Sequence, residues 1–130
     1  MYSIGEVSQM LGISAHTLRY YEKEKIILPD RNENGERIYH TTHVQWLQFV
    51  LKLKETQMPI SKIKEYAHLF THGEQTSLAR LKLLEEHKIS IENQLITLEE
   101  TNKILEKKIS SYKDFIQKTN FTLNSDERER

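Results

Sequence analysis

Several polar and basic side chains early in the chain have the residue types and the spacing of a surface that binds nucleic acid. Arg, Lys and Tyr donate hydrogen bonds to phosphate oxygens, and residues in the first turns of an inserted helix reach base edges in the major groove. We therefore predict that Arg19 and Tyr20 contact phosphates and that His16 and Thr17 contact bases. The whole set on this predicted helix is Ser14, His16, Thr17, Arg19, Tyr20 and Lys23.

An ordinary amphipathic helix with a solvated outer face would have the same pattern, so a second feature has to support the interpretation. Asn34-Gly35 is a strong signal for a β-hairpin, and Arg31 and Arg37 flank its tip. Such a hairpin either closes the fold or contacts the DNA backbone or minor groove. Tyr39 either joins that contact or anchors the hairpin in the core. We include Arg31, Arg37 and Tyr39 in the predicted DNA-binding set.

The elements that must position these side chains are helices separated by turn residues. Capping spacing and apolar periodicity predict a first helix over residues 3–11, and Gly12 permits a tight turn before a second helix over 14–25. A third helix is expected from Thr42 and a fourth over residues 61–70. The residues expected to point inward are Leu18, Tyr21, Val44, Leu47 and Leu51. On the fourth helix, one side is expected to carry Ile63, Tyr66, Ala67 and Phe70.

The second half of the chain lacks helix breakers, because neither Gly nor Pro occurs after Gly73. Apolar residues then recur at alternating spacings of three and four along what we call the seam, which indicates a coiled coil. One straight helix cannot bury such a stripe, so a second copy of the chain is implied. Lys88 is the one seam position left out of the predicted dimerisation set, which comprises Leu81, Leu84, Ile91, Leu95, Leu98, Asn102, Leu105, Ile109, Tyr112 and Ile116.

Together these patterns predict a mostly α fold with a winged helix-turn-helix head, a small β-hairpin wing and a long coiled-coil helix. We assign the DNA-binding head to residues 1–70 and a linker to 71–75. The long dimerisation helix is assigned to 76–118, and a flexible C-terminal tail to 119–130.

Composition excludes several classes of function. The chain has 130 residues, no Cys and a formal net charge of zero, so thiol chemistry is excluded and indiscriminate electrostatic binding to nucleic acid is disfavoured. Any positive charge that serves DNA binding must be arranged locally. No apolar run approaches the roughly 20 residues of a membrane span, and no signal peptide is expected. A cytoplasmic protein without membrane contact is predicted.

Residues suited to catalysis or metal binding are scarce. His68 and His72 have the spacing of two metal ligands on one helix face, but a third ligand is missing from the pattern, so we predict no metal site. Neither a nucleophile elbow nor a phosphate-binding loop is present in the sequence. We therefore expect neither enzymatic activity nor a cofactor.

Four short motifs of the head match a known family in type and position. They are Ile4-Gly5-Glu6-Val7, Thr17-Leu18-Arg19-Tyr20-Tyr21-Glu22, Gly35-x-Arg37-x-Tyr39 and Ile63-Lys64-Glu65. Through these motifs the head, over roughly residues 2–70, resembles the MerR family of winged helix-turn-helix transcription regulators. The stretch from Leu51 to Ile60 looks most like the small branch that responds to electrophiles such as aldehydes, but Lys52 stands where that branch has its cysteine.

The resemblance implies a homodimer held by an antiparallel coiled coil, with two heads on a pseudo-palindromic operator inside a promoter. It also implies that distortion of this DNA controls transcription, so that RNA polymerase is an indirect partner. Because the sequence has no Cys, it lacks the side chain needed for metal or thiol sensing. The resemblance does not identify a small-molecule effector. The function predicted from the sequence is a dimeric, sequence-specific regulator that binds double-stranded promoter DNA. The alternative is a coiled-coil interaction or scaffold module whose head does not bind DNA.

Overall fold

The computed structural model describes residues 1–129 and the side chains of residues 1–120. The chain divides into two compact units, of which the first is Met1–Lys88 and the second begins at Ile89. All elements except the greater part of the last helix belong to the first unit.

The first two helices form a helix-turn-helix, in which α1 spans Ile4–Leu11 and α2 spans Ala15–Lys23. The Ser3 hydroxyl accepts the backbone N–H of Glu6 at 3.1 Å, and the Glu6 carboxylate accepts the backbone N–H of Ser3 at 3.0 Å. This is the capping box that the spacing predicts. Gly12 ends α1 with a φ of 68°, a left-handed conformation that costs glycine no Cβ clash.

The second helix ends at Lys23, two residues before the predicted end at residue 25. The reason is Lys25, whose φ of 61° takes the chain out of the helical path. The next residue, Ile26, then donates its backbone N–H to the Tyr21 carbonyl at 2.9 Å. Ile26 and Ile27 are both buried, so the apolar pair after the turn closes the end of α2 against the core.

The predicted hairpin is present as two short antiparallel strands, β1 at Asp30–Arg31 and β2 at Arg37–Ile38. Gly35 lies in the turn with a φ of 78°. Beyond the ladder, Tyr2 and Tyr39 exchange two backbone hydrogen bonds of 2.8 Å each. The N-terminal residues therefore tie the base of the wing to the head.

Two more helices complete the core: α3 spans Thr41–Glu55 and α4 spans Ile60–Thr71. The residues predicted to point inward are buried or half-buried. Phe70, which is expected on the same side of the fourth helix as Ile63 and Ala67, is 59% exposed. Its ring lies at the end of α4 and stacks on Trp46, so the contact is at the surface. The buried core comprises Val7, Leu18, Tyr21, Ile26, Ile27, Tyr39, Val44, Leu47, Val50, Leu53, Met58 and Ile63.

The long helix α5 spans Ser77–Glu129 and follows a short 3₁₀ turn at Glu74–Thr76. It continues past residue 118, so residues 119–129, which the sequence analysis assigns to a flexible tail, are helical. Residue 130 lies outside the described part of the chain. The extension has a simple cause, since no Gly or Pro interrupts this stretch.

The first turns of α5 belong to the head. Leu83 and His87 are buried in the first unit. The His87 Nε2 atom lies 2.7 Å from the Thr56 hydroxyl at the end of α3, and that hydroxyl donates to the Lys52 carbonyl at 2.8 Å. This compact unit therefore continues well beyond residue 70, where the sequence analysis ends the head.

Candidate nucleic-acid interface

The outer face of α2 presents the polar side chains that the sequence analysis selects. His16, Arg19 and Lys23 are exposed, and Tyr20 is 41% exposed. On the opposite side Leu18 and Tyr21 are buried in the core. The burial of this inner face fixes which side chains point outward, so the helix offers a basic and aromatic surface to solvent.

The start of α2 is held by its own hydroxyl groups. The Ser14 hydroxyl oxygen accepts the Thr17 backbone N–H at 3.0 Å and lies 2.9 Å from the Thr17 hydroxyl. The main role of Ser14 is therefore to cap the N-terminus of α2. The positive end of the helix dipole lies at this cap, which favours an approaching phosphate.

Glu22 joins this helix to the wing. One carboxylate oxygen accepts a hydrogen bond from Arg31 Nη2 at 2.7 Å, and the other accepts one from Arg37 Nε. Arg31 and Arg37 are directly opposite each other in the hairpin register. We call Glu22, Arg31 and Arg37 the wing brace, because one carboxylate on α2 holds a cation from each strand.

Electrostatics in the wing brace favour the charged state of the carboxyl. Partial burial raises the pKa of Glu22, but the hydrogen bonds from Arg37 and Arg31 and their positive charges outweigh burial. The pKa of Glu22 therefore lies below its ordinary value. Arg31 also donates from Nη1 to the Gly35 carbonyl at 3.0 Å, which fixes its guanidinium beside the hairpin turn. A guanidinium has five N–H donors, so both arginines keep donors beyond those used by Glu22.

Tyr39 does not belong to the exposed surface. Its side chain is fully buried and in the core cluster, which supports the anchor alternative and removes it from the predicted DNA-binding set. Its hydroxyl has no hydrogen-bond partner among the residues that the structure describes. Burial raises the pKa of the Tyr39 hydroxyl. The alternation of the return strand is compatible with either face, and in the structure the Tyr39 side chain packs into the core.

A second link between elements lies at the other end of α2. The Glu24 carboxylate accepts a hydrogen bond from Lys64 Nζ of α4 at 2.7 Å. That hydrogen bond and the charge of Lys64 lower the pKa of Glu24, and the same contact raises the pKa of Lys64. Sequence reasoning missed both Glu22 and Glu24 as positioning residues. Their only sequence signal is two carboxylates on an otherwise basic surface.

The histidines at the end of α4 do not form a ligand cluster. The His68 and His72 rings lie 4.3 Å apart, and His72 Nδ1 donates to the His68 carbonyl at 2.8 Å. Among residues 1–120, whose side chains the structure describes, no group of three or more His, Asp or Glu side chains has a geometry that could hold a metal ion.

The predicted dimerisation residues lie on α5, and most of their side chains are exposed in the single chain. Leu95, Leu98, Leu105, Ile109, Tyr112 and Ile116 each expose at least half of their surface. Leu84 and Ile91 are partly buried. A continuous exposed apolar stripe is uncommon on the surface of soluble monomers. No helix in the described part of the chain is long and apolar enough to cross a membrane.

Comparison with known proteins agrees with this architecture. Residues 2–69 match the family described as MerR HTH family regulatory protein, and residues 44–108 match the family described as MerR, DNA binding. An HTH-type transcriptional regulator of Haemophilus influenzae is 34% identical over 113 residues, which are 85% of this chain and 83% of that relative. AdhR of Bacillus subtilis is 35% identical over 83 residues, 63% of this chain and 59% of that relative.

Solved structures include two similar chains. A MerR family transcriptional regulator from Listeria monocytogenes superposes with a TM-score of 0.92 at 30% identity, covering 100% of this chain and 99% of that one. HiNmlR, described as a MerR family regulator lacking the sensor domain and bound to promoter DNA, has a TM-score of 0.82 at 32% identity, with 87% and 90% coverage. The chain belongs to the MerR family of helix-turn-helix regulatory proteins.

Proposed function

We propose that this protein is a dimeric, sequence-specific transcription regulator whose α2 helix and wing bind promoter DNA. The observation that carries the proposal is the wing brace, because it joins the exposed basic face of α2 to the two arginines of the hairpin. A helix and a wing held together in this way form one surface for adjacent grooves. The complex of HiNmlR with promoter DNA supports the same use of this fold.

Within this surface we assign roles by chemistry and position. Arg19, Tyr20 and Lys23 are exposed donors along α2 and are proposed to contact phosphates. His16 and Thr17 lie in the first turn and are proposed to contact base edges. Arg31 and Arg37 are proposed to use the donors not taken by Glu22 for the phosphate backbone beside the wing.

The partner that we propose for the exposed seam of α5 is a second copy of the chain in an antiparallel coiled coil. Burial of a Leu or Ile side chain contributes roughly 1.5–3 kcal/mol, so the exposed seam residues together favour dimerisation strongly. A two-fold dimer presents two heads to a pseudo-palindromic operator. We further propose that the two heads distort the DNA between them, which is how binding would control RNA polymerase at the promoter. A regulator of this kind acts in the cytoplasm.

Footprinting tests the proposal directly. The purified protein is titrated onto the promoter region upstream of its own gene, with a scrambled duplex of the same composition as the control. We expect protection with two-fold symmetry and hypersensitive bonds at the centre, where distortion is greatest. Arg19→Ala should weaken the protection, and Lys82→Ala, an exposed lysine on α5, serves as the matched control variant.

Two results would argue against parts of the proposal. Protection of one half-site alone would contradict a two-fold dimer on the DNA. A stable dimer with no protection at any salt concentration would favour the alternative, a coiled-coil interaction module.

A further inference from the structure

An apolar cavity of about 340 Å³ opens in the first unit between the segment that follows α2 and the facing sides of α3 and α4. Ile26 and Leu28 line it from the segment, Trp46 lines it from α3, and Phe70 lines it from α4. This volume falls within the roughly 300–1,000 Å³ range of small-ligand sites. None of these residues belongs to the proposed DNA-binding surface.

Aromatic rings form one wall of the cavity. Trp46 and Phe70 are stacked with an interplanar angle of 15° and centroids 6.1 Å apart. The Trp46 indole N–H donates to the Ile26 carbonyl at 2.7 Å, so the polar atom of the indole is satisfied and its orientation is fixed. The wall is therefore a preformed aromatic surface that suits a flat, apolar ligand.

The polar side chains that line the cavity are two nitrogen donors, Lys25 and His43, and the hydroxyls of Thr42 and Thr71, which can donate or accept. Lys25 is exposed and forms no ion pair with any side chain that the structure describes. His43 Nδ1 accepts the backbone N–H of His40 at 2.9 Å, which places the ring proton of the neutral imidazole on Nε2. The carboxylate of the neighbouring Glu24 is already paired with Lys64.

No Asp or Glu is among the described residues that line this cavity. A ligand with one negative charge would therefore meet an ammonium group and an N–H donor without facing a carboxylate. A neutral apolar ligand would leave both donors unused, and a cation would be repelled by Lys25. The charge pattern thus selects a single anionic group on an apolar body.

We propose that this cavity binds a small aromatic monocarboxylate. Its ring lies against Trp46 and Phe70, and its carboxylate faces Lys25 and His43. Because the site is separate from the DNA-binding surface, its occupancy can be measured without DNA, and the result does not depend on the proposed regulatory function.

The test uses 4-fluorobenzoate as the probe and the full-length protein without DNA. Binding is followed by broadening of the ¹⁹F resonance and by quenching of the emission of Trp46, which is the single tryptophan of the chain. We expect saturable binding of 4-fluorobenzoate. The neutral isostere 4-fluorobenzamide should bind at least roughly fivefold more weakly, because it lacks the charge that Lys25 and His43 would meet.

Lys25→Gln should weaken binding of 4-fluorobenzoate roughly fivefold to tenfold, since a charge-assisted contact is removed. Lys82→Gln, which changes an exposed lysine outside the cavity, should bind as the parent does. Circular dichroism establishes that both variants are folded.

Four results would overturn the proposal. The first three are an unchanged ¹⁹F line at millimolar probe, equal affinity for the benzoate and the benzamide, and unchanged affinity in Lys25→Gln. A fourth is emission from Trp46 that changes with protein concentration while the probe has no effect, because a second copy of the chain would then cover this surface.

Discussion

Neutralising Glu22 tests whether the wing brace orients the arginines for DNA or withholds them from it. Glu22→Gln keeps the size of the side chain and one acceptor oxygen but removes the charge that faces Arg31 and Arg37. The two cations lie opposite each other in the hairpin, so they would then repel without a neutralising carboxylate. We expect the wing to lose its fixed position relative to α2.

The expected loss of stability in Glu22→Gln follows from the solvent exposure of the paired side chains. The Glu22 side chain is only 22% exposed, whereas that of Arg31 is 44% exposed, so the pairs are partly screened by solvent. Partly exposed ion pairs contribute up to about 1 kcal/mol each, and we expect a loss of about 1–2 kcal/mol in the free energy of unfolding. For a domain of 60–100 residues, each 1 kcal/mol lowers Tm by about 4–8 °C. Calorimetry measures this change, and Glu86→Gln on the exposed face of α5 is the control.

The dependence on pH has a definite sign. The pKa of Glu22 is lowered in the folded protein, so its ion pairs stabilise the fold fully above its ordinary pKa of 4.5. That stabilisation is lost as the pH falls through the lower folded pKa. The difference in stability between the parent and Glu22→Gln should therefore be constant near neutral pH and shrink in acid. A difference that grows as the pH falls below 4.5 would contradict this assignment.

The affinity of Glu22→Gln for operator DNA shows whether the Glu22 carboxylate orients the two arginines for DNA or keeps them from it. If the brace orients the arginines, Glu22→Gln should bind the operator more weakly, by roughly threefold to tenfold for the loss of about one positioned contact. Tighter binding by Glu22→Gln would refute the reasoning, since it would mean that the carboxylate only competes with phosphate for the arginines. Fluorescence anisotropy at several salt concentrations provides both the affinity and the salt slope.

Three other substitutions test separate parts of the interpretation. Arg19→Ala should weaken binding to all DNA sequences and reduce the salt dependence of the affinity by about one counterion, both measured by fluorescence anisotropy. An unchanged salt dependence would mean that Arg19 does not contact a phosphate. Leu98→Asp should convert the dimer to a monomer in sedimentation, because it places an unpaired charge in the seam, and a persistent dimer would refute the proposed seam. Tyr39→Phe removes a buried hydroxyl without a described partner, so Tm should stay the same or rise and operator affinity should not change. A clear loss of operator affinity would mean that Tyr39 belongs to the DNA interface.

Short-range signals in the sequence predicted the local structure well. The capping box of Ser3 and Glu6, the tight turn at Gly12 and the hairpin at Asn34-Gly35 each depend on residues within a few positions of one another. Propensity and hydrogen bonding act at that range, so a single sequence contains the information. The burial of Leu18 and Tyr21 follows from helical period for the same reason.

Contacts between distant residues were the part that sequence reasoning missed. Glu22 meets Arg31 and Arg37 only after the wing folds back on α2, and neither spacing nor composition indicates which carboxylate will be shared. The alternation of the return strand leaves Tyr39 compatible with either face, and its packing against core residues that are distant in sequence decides between them. The end of α2 also differs from the prediction, because a left-handed residue at a helix end is usually glycine and here it is Lys25, which is followed by the buried Ile26.

A net charge of zero is compatible with DNA binding because the carboxylates near the proposed DNA-binding surface are paired with cations from other elements. Glu22 lies on the helix that would enter DNA and Glu24 caps the end of that helix. Each is nevertheless neutralised by a cation from another element, namely the wing arginines and Lys64. The carboxylates therefore do not repel phosphate as free charges would, and Arg19 and Lys23 remain exposed on the same helix. Arginines tied to a carboxylate also have less rotamer freedom to lose when they meet a phosphate. Affinity in such a surface depends on positioning more than on total charge, so it should respond to the loss of Glu22 even though that substitution makes the protein more positive.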